Sequence, residues 1–181
     1  MYLKRGKKDM TSVLKDKHVL IVDDEPDVLE TLTDFLDMCL IDSAPGFDAA
    51  QKLLEKNTYD AAVLDIMGVR GFELLGITTR KKIPTLMLTA HALSPEMLVQ
   101  SLKQGAHAYI PKDRISEIAS FVQEIIEAHE KIGPGKDNWF IRLKSYFDRR
   151  FGSGWREADK EFWREFDQKY LVSRKELEDI L

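Results

Sequence analysis

Short apolar runs recur along the chain up to residue 110, and each is followed by a segment whose apolar residues have helical spacing. Apolar runs of about four to eight residues between turn signals are typical of buried strands. The predicted strands span residues 18–22, 40–44, 59–66, 84–90 and 106–110. The predicted helices span residues 27–39, 48–56, 72–77, 94–104 and 115–131. Because parallel strands need crossover connections, this alternation predicts an α/β fold with a doubly wound parallel sheet.

Polar or charged residues stand where four of the predicted strands end. Asp23 and Asp24 follow the first strand, Asp65 lies at the end of the third, Thr89 at the end of the fourth, and Lys112 after the fifth. Each has a simpler interpretation. Asp65 and the acids before Pro26, Glu25 included, can cap a helix, Thr89 can be an ordinary strand residue and Lys112 a solvated strand end. In an open parallel sheet, however, this edge is where ligands bind. Three carboxylates, a hydroxyl and a lysine exceed what capping requires, and they favour a reactive site.

These residue types suit phosphoryl chemistry. If the first and third strands are neighbours, Asp23, Asp24 and Asp65 converge, and their charges repel one another. A hard divalent cation relieves that repulsion, and oxygen-only ligands favour Mg²⁺, or Mn²⁺ in its place, over zinc. Lys112 and Thr89 would add an ammonium and a hydroxyl that can hold phosphoryl oxygens. We expect Asp65 to be the nucleophile, since a carboxylate can form an aspartyl phosphate.

Composition narrows the class of protein. The 181-residue chain has a formal net charge of −4 and a pI near 5.6, which argues against nonspecific nucleic-acid binding. Residues 1–16 are polar and rich in lysine, and they predict a flexible basic leader. No apolar run has the length that spans a membrane, and no secretory signal follows the leader. The single Cys39 suits a reducing compartment, so we expect a cytoplasmic protein.

Residues 132–181 form a different segment, separated from the rest by the break at residues 132–135. Two helices rich in aromatic residues are predicted, the second over residues 155–170, and Ser173 with Glu176 predicts a short third. Helices this short cannot bury their aromatic side chains alone, so they pack as a hairpin, dock on the α/β domain or join a partner. Their basic residues are nearly balanced by acids, which favours a protein-interaction or dimerisation role over DNA binding.

The α/β part resembles the receiver domain of two-component response regulators over about residues 17–131. The resemblance rests on the sequences Val19-Leu20-Ile21-Val22-Asp23-Asp24-Glu25-Pro26, Leu64-Asp65-Ile66-Met67, Leu88-Thr89-Ala90 and Gly105-Ala106 through Tyr109 to Lys112. It implies a flavodoxin-like five-stranded sheet in the order 2-1-3-4-5.

The same resemblance implies roles for the site residues. Asp65 would accept a phosphoryl group from a sensor histidine kinase or a phosphotransfer protein. Asp23 and Asp24 would bind Mg²⁺ with Asp65 and the main-chain carbonyl of Met67, and Lys112 would pair with the phosphate. No catalytic activity is expected beyond the chain's own phosphorylation and dephosphorylation.

The resemblance also implies a switch. Thr89 would move toward the phosphate and Tyr109 would turn inward, which would remodel the face formed by the fourth helix, the fifth strand and the fifth helix. That face, or the C-terminal helices, would bind a protein target or a second copy of the chain.

Two features depart from the family pattern. The loop from Gly68 to Gly71 is short, and Lys112 is followed by Asp113 instead of proline. Met67 and His91 occupy positions that tune phosphoryl hydrolysis in the family.

Two other functions remain open at this point. One is a DNA-binding regulator that uses the C-terminal helices. The other is a Mg²⁺-dependent aspartyl phosphatase of another family, which is disfavoured because no second acid stands two residues after Asp65.

Overall fold

The computed structural model describes residues 13–90, 94–130 and 138–171. Its centre is a five-stranded sheet whose paired strands all run parallel, in the order β2-β1-β3-β4-β5. The strands are β1 (His18–Val22), β2 (Leu40–Ala44), β3 (Ala61–Asp65), β4 (Thr85–Thr89) and β5 (Ala108–Pro111). The predicted flavodoxin-like sheet order is therefore confirmed.

Within the described ranges, five helices alternate with these strands and two more follow. They are α1 (Pro26–Phe35), α2 (Phe47–Lys56), α3 (Gly71–Arg80), α4 (Pro95–Lys103), α5 (Ile118–Glu130), α6 (Asn138–Phe151) and α7 (Lys160–Phe166). Short 3₁₀ turns at Lys112–Glu117 and Trp155–Asp159 precede α5 and α7, and a π-helical turn at Asp167–Leu171 follows α7. Because crossovers are right-handed, the reversal of direction after β2 puts α1 on one face of the sheet and α2 to α4 on the other. The helix α5, which follows the last strand, packs beside α1.

The core lies on both faces of the sheet. Every residue of β3, β4 and β5 is buried, as expected for parallel strands covered by helices on two sides. The edge strand β2 is different, because only Ala44 is buried there and Leu40 is 55% exposed. The strands whose sequences are apolar runs without polar alternation are thus the ones whose ends carry the predicted site residues.

Two of the boundaries that differ from the sequence prediction have a clear physical reason. The first helix was expected to reach residue 39 but ends at Phe35, after which residues 36–38 form a turn whose Met38 carbonyl accepts a hydrogen bond from Asp16 N at 3.1 Å. The flexible leader was expected through residue 16, yet Leu14 is fully buried against the core. One leucine is enough to fix this end of the segment, and residues 1–12 lie outside the described residues.

The C-terminal helices pack on the α/β domain. Within α6 the side chains of Trp139, Phe140, Leu143 and Phe147 are all buried in the main hydrophobic core. Two of the three arrangements left open by the sequence occur together. The helices pack on each other, with the Phe140 ring 5.3 Å from that of Trp163, and they dock on the α/β domain. The break at residues 132–135 and the predicted Ser173–Glu176 cap lie outside the described residues. Across the described residues, no helix combines the length and apolar character that crossing a membrane demands.

A half-buried histidine, His107, joins β4 to the start of β5. His107 N donates to the Thr85 carbonyl at 2.8 Å, and His107 Nδ1 accepts from Thr85 N at 3.3 Å. Burial, with a smaller contribution from His129 whose ring lies 6.0 Å away, lowers the pKa of His107 from 6.5 to about 4. The folded chain therefore favours the neutral ring, whose Nδ1 can accept the hydrogen bond.

This lowered pKa predicts acid sensitivity. The contribution of His107 to the free energy of unfolding is complete above pH 6.5 and is lost as the pH falls toward 4. Between about pH 7 and pH 5, urea unfolding should show wild type losing about 1 to 2 kcal/mol more than His107→Asn, which keeps an acceptor but does not titrate. Equal losses in the two proteins would contradict this prediction.

Candidate functional site

The parallel register brings the predicted site residues to one edge of the sheet. Val22 of β1 pairs with Leu64 of β3, so the residues that follow them, Asp23 and Asp65, stand side by side. Thr89 ends β4 opposite Pro111 of β5, and Lys112 comes next in the chain. The convergence expected from the sequence is therefore present in the fold.

A single ammonium lies among the carboxylates. Lys112 Nζ is 2.8 Å from Asp23 Oδ2, 2.8 Å from Glu25 Oε1 and 3.3 Å from Asp65 Oδ1. The Lys112 side chain is 12% exposed, Asp23 is fully buried and Asp65 is 5% exposed. Burial alone would lower the pKa of Lys112, but the surrounding carboxylates outweigh it and hold that pKa above its usual value.

The charge at Asp65 is only partly balanced. Burial, followed by repulsion from Asp23, raises the pKa of Asp65 from 3.8 to about 6, although Lys112 opposes this rise. Asp24 adds a smaller repulsion. The arrangement has more negative charge than one lysine neutralises, so it favours the arrival of another cation.

The acids after β1 present a set of oxygen ligands. Asp23, Asp24 and Glu25 each offer a carboxylate oxygen, and these oxygens lie within 4.8 Å of one another. Asp23 is buried, its Oδ1 accepts a hydrogen bond from Glu25 N at 2.9 Å, and the other two side chains are exposed. Oxygen donors at the rim of a site, with no nitrogen or sulfur among these three, fit a hard cation such as Mg²⁺.

The short loop after β3 depends on two glycines. Gly68 has φ +78°, and a Cβ there would lie 2.3 Å from Asp24 Oδ2. A Cβ on Gly71 would lie 2.1 Å from the Asp65 carbonyl oxygen. The buried Val69 anchors the loop, and the Arg70 guanidinium stacks over the Phe47 ring at 3.9 Å. Because the loop is short, its backbone passes directly against the end of β3 and against Asp24.

Thr89 and Tyr109 meet behind the site. Thr89 is 1% exposed, and no described residue forms a hydrogen bond of normal geometry with its Oγ1. The Tyr109 hydroxyl faces Thr89 and the backbone of Ser94, and its ring is fully buried. Burial raises the pKa of Tyr109 above its usual value. The Thr89 hydroxyl thus lies next to the Tyr109 hydroxyl, on the strand that borders Asp65.

The contact between Glu25 and Lys112 was not expected from the sequence. The acids before Pro26 were read as possible helix caps, but the Glu25 side chain makes no cap hydrogen bond and instead contacts Lys112. The position of Glu25 directly after Asp24 was the signal that could have identified it as a site residue. The Met67 side chain is 58% exposed beside the site, and His91 lies outside the described residues.

Comparison with known proteins decides the family. Residues 19–123 match the sequence model of the response regulator receiver domain, which spans more than half of the chain. The chain belongs to this family. This receiver is therefore part of two-component signalling.

Relatives of this receiver cover its α/β part. The heme response regulator HssR of Staphylococcus aureus strain Newman is 39% identical over 99 residues, which are 51% of this chain and 43% of that protein. A CheY-like receiver domain protein from Methanospirillum hungatei JF-1 is 27% identical, with a TM-score of 0.58 over 64% of this chain and 98% of its own. The receiver domain of a Francisella response regulator is 25% identical, with a TM-score of 0.56 over 64% of this chain and 100% of its own.

The close approach at Gly71 predicts a sharp contrast between two glycines that stand at helix starts. Gly71→Ala should lower the free energy of unfolding by more than about 2 kcal/mol, because its Cβ would collide with the Asp65 backbone. Gly46→Ala should cost less than about 1 kcal/mol, since Gly46 has extended backbone and nothing lies within 4 Å of a Cβ there. Urea unfolding of both variants measures the difference, and similar losses would refute this explanation of the loop.

Proposed function

We propose that this receiver accepts a phosphoryl group on Asp65 from a sensor histidine kinase or a phosphotransfer protein. The observation that carries the proposal is a nearly buried carboxylate at the end of a parallel strand, with an ammonium 3.3 Å from its oxygen and a second buried carboxylate beside it. Structural ion pairs are seldom built with such an excess of buried negative charge, because burying an unbalanced charge is costly.

The transfer follows from these positions. An Asp65 oxygen attacks the phosphorus atom, and the bond between phosphorus and the donor histidine nitrogen breaks with its electron pair left on the nitrogen. Lys112 stabilises the negative charge on the phosphoryl oxygens, and Thr89 donates a hydrogen bond to one of them. The attacking carboxylate must be ionised, and the positive charge of Lys112 favours that form.

Asp23, Asp24 and Asp65 would hold Mg²⁺, with the main-chain carbonyl of Met67 as a further ligand and Mn²⁺ as a substitute. The oxygen donors after β1 and the surplus negative charge around Asp65 fit such a cation. When bound, the cation neutralises carboxylate charge and the charge that develops on the phosphoryl oxygens. Glu25 would compete for Lys112 at the rim, since it lies 2.8 Å from the ammonium.

The output of this receiver is proposed to be a protein contact, without turnover of external substrates. In the C-terminal helices, Arg142 is paired with Glu117 and Glu124, and Arg156 with Asp167. Because these guanidinium groups already bind carboxylates, they are less able to bind the phosphates of nucleic acid. This supports a protein-interaction role over DNA binding.

Intact-mass measurement tests the phosphoacceptor. With acetyl phosphate and Mg²⁺ as the donor system, wild type should gain the mass of one phosphoryl group, whereas Asp65→Asn should gain none because the amide is not a nucleophile of this kind. Asp60→Asn serves as a matched control. The Asp60 carboxylate lies at the opposite end of the strands, where it accepts a hydrogen bond from His18 N. No added mass on wild type would refute the proposal.

The packing of Gly68 against Asp24 predicts a defect in cation binding. Gly68→Ala should weaken Mg²⁺ binding by about tenfold or more, because the new Cβ displaces the Asp24 carboxylate. Isothermal titration calorimetry with MgCl₂ measures this, and Gly46→Ala is the control that should bind as wild type does. Unchanged affinity in Gly68→Ala would remove Asp24 from the proposed ligand set.

A further inference from the structure

The C-terminal helices cover one side of the receiver next to the site. The described residues 138–171, here called the extension, contact α4, β5 and the 3₁₀ turn that leads into α5. Phe147 of α6 lies against Tyr109 of β5 with ring centroids 6.4 Å apart, and both side chains are fully buried. Tyr146, the preceding residue, donates its hydroxyl to Asp113 Oδ2 at 2.8 Å.

Other contacts of the extension fix its position at a distance from the site. Arg142 binds Glu117 Oε2 at 2.7 Å and Ser120 Oγ at 2.9 Å, and its guanidinium lies over the Phe121 ring at 4.0 Å. These contacts hold α6 along α5. They leave the pair Tyr146 and Phe147 as the part of the extension that points toward the sheet edge.

Each member of this pair contacts a neighbour of a site residue. Asp113 directly follows Lys112, whose ammonium lies among the carboxylates. Tyr109 faces the Thr89 hydroxyl. Two short chains of contacts therefore connect the extension to the site, one from Tyr146 through Asp113 and one from Phe147 through Tyr109.

We propose that Tyr146 and Phe147 are positioning residues for phosphoryl transfer, acting through Asp113 on Lys112 and through Tyr109 on Thr89. The inference rests on the proposed phosphorylation of Asp65.

The sign of the coupling follows from packing. The hydrogen bond of Tyr146 fixes the first residue after Lys112, and with it the direction in which the lysine side chain leaves the backbone. Phe147 packs against the buried Tyr109 ring, so that Tyr109 cannot move out without leaving a cavity beside Thr89. Both contacts hold the groups that stabilise the phosphoryl oxygens in place before the reaction, and such preorganisation accelerates it.

Tyr146→Phe is the cleanest test, because it removes only the hydroxyl and keeps the ring. The rate constant for phosphorylation of the full chain by acetyl phosphate and Mg²⁺ should fall by about fivefold, a size typical of one lost hydrogen bond. In an Asp113→Ala background the same change should have no further effect, since the contact through which Tyr146 acts is already gone. A merely structural role would lower the free energy of unfolding and leave the rate constant of the folded protein unchanged.

Phe147 is tested in the same way. Phe147→Ala should lower the rate constant, and Phe147→Leu, which keeps apolar volume against Tyr109, should restore most of it. Ile141→Ala is the matched control, because Ile141 lies on the same helix with its side chain 54% exposed and should leave the rate unchanged. Hydrogen exchange of the peptides from β5 should increase in Phe147→Ala and stay unchanged in Ile141→Ala, which reports docking without any need for phosphorylation.

The outcomes separate the two proposals. If wild type is phosphorylated and Tyr146→Phe and Phe147→Ala match it, the positioning role is overturned while the proposed function stands. A faster reaction in the variants also overturns it, because the extension would then restrain the site. If wild type takes up no phosphoryl group, the proposed function fails and this inference falls with it.

Discussion

The excess of negative charge at one edge of the sheet is the constraint on which the rest of this structure depends. Asp23 and Asp65 are both buried there, and Lys112 lies between them with Glu25 on its other side. Such a cluster persists only where the surrounding fold holds it in place, since carboxylates in a low-dielectric environment repel one another strongly. Parallel strands with fully apolar interiors supply that rigidity, because their ends cannot move apart without disrupting the core.

The local features of this site could be predicted from the sequence. The strands are short, apolar and bounded by turn residues, so their positions follow from the chain itself, and the residues that follow them must meet at one edge. The adjacency of Asp23 and Asp65 and the approach of Lys112 are therefore consequences of strand order. The strand order 2-1-3-4-5 was predicted from the resemblance to receivers, since the alternation of strands and helices alone does not determine which strands are neighbours.

Features that depend on contacts between distant segments could not be predicted. Glu25 looked like a helix cap because capping needs only the next few residues, whereas its contact with Lys112 requires the whole sheet. The sequence predicts a flexible leader that includes Leu14, because two adjacent apolar residues, Val13 and Leu14, give no periodic signal, yet the core buries Leu14 completely. The aromatic pattern of the extension is compatible with a hairpin, with docking or with a partner. Only the folded surfaces show that its helices pack on each other and on the α/β domain at once.

The structure gives each departure from the family pattern a physical context. Asp113 occupies the place where the family commonly has proline, and it accepts the Tyr146 hydroxyl, a contact that a proline side chain could not make. The short loop at Gly68 and Gly71 brings the chain tightly against Asp24 and the end of β3. Both departures thus coincide with close contacts in this chain.

The distribution of tryptophan in this protein has a practical meaning for spectroscopy. Trp139, Trp155 and Trp163 are all the tryptophans of the chain, and each is buried in the extension. The sheet edge that holds the acidic residues has no indole of its own, so it contributes no tryptophan emission. Any change in that emission when a cation or a phosphoryl group arrives must be transmitted through the protein to the extension, which makes the natural chain a label-free reporter of communication between its two parts.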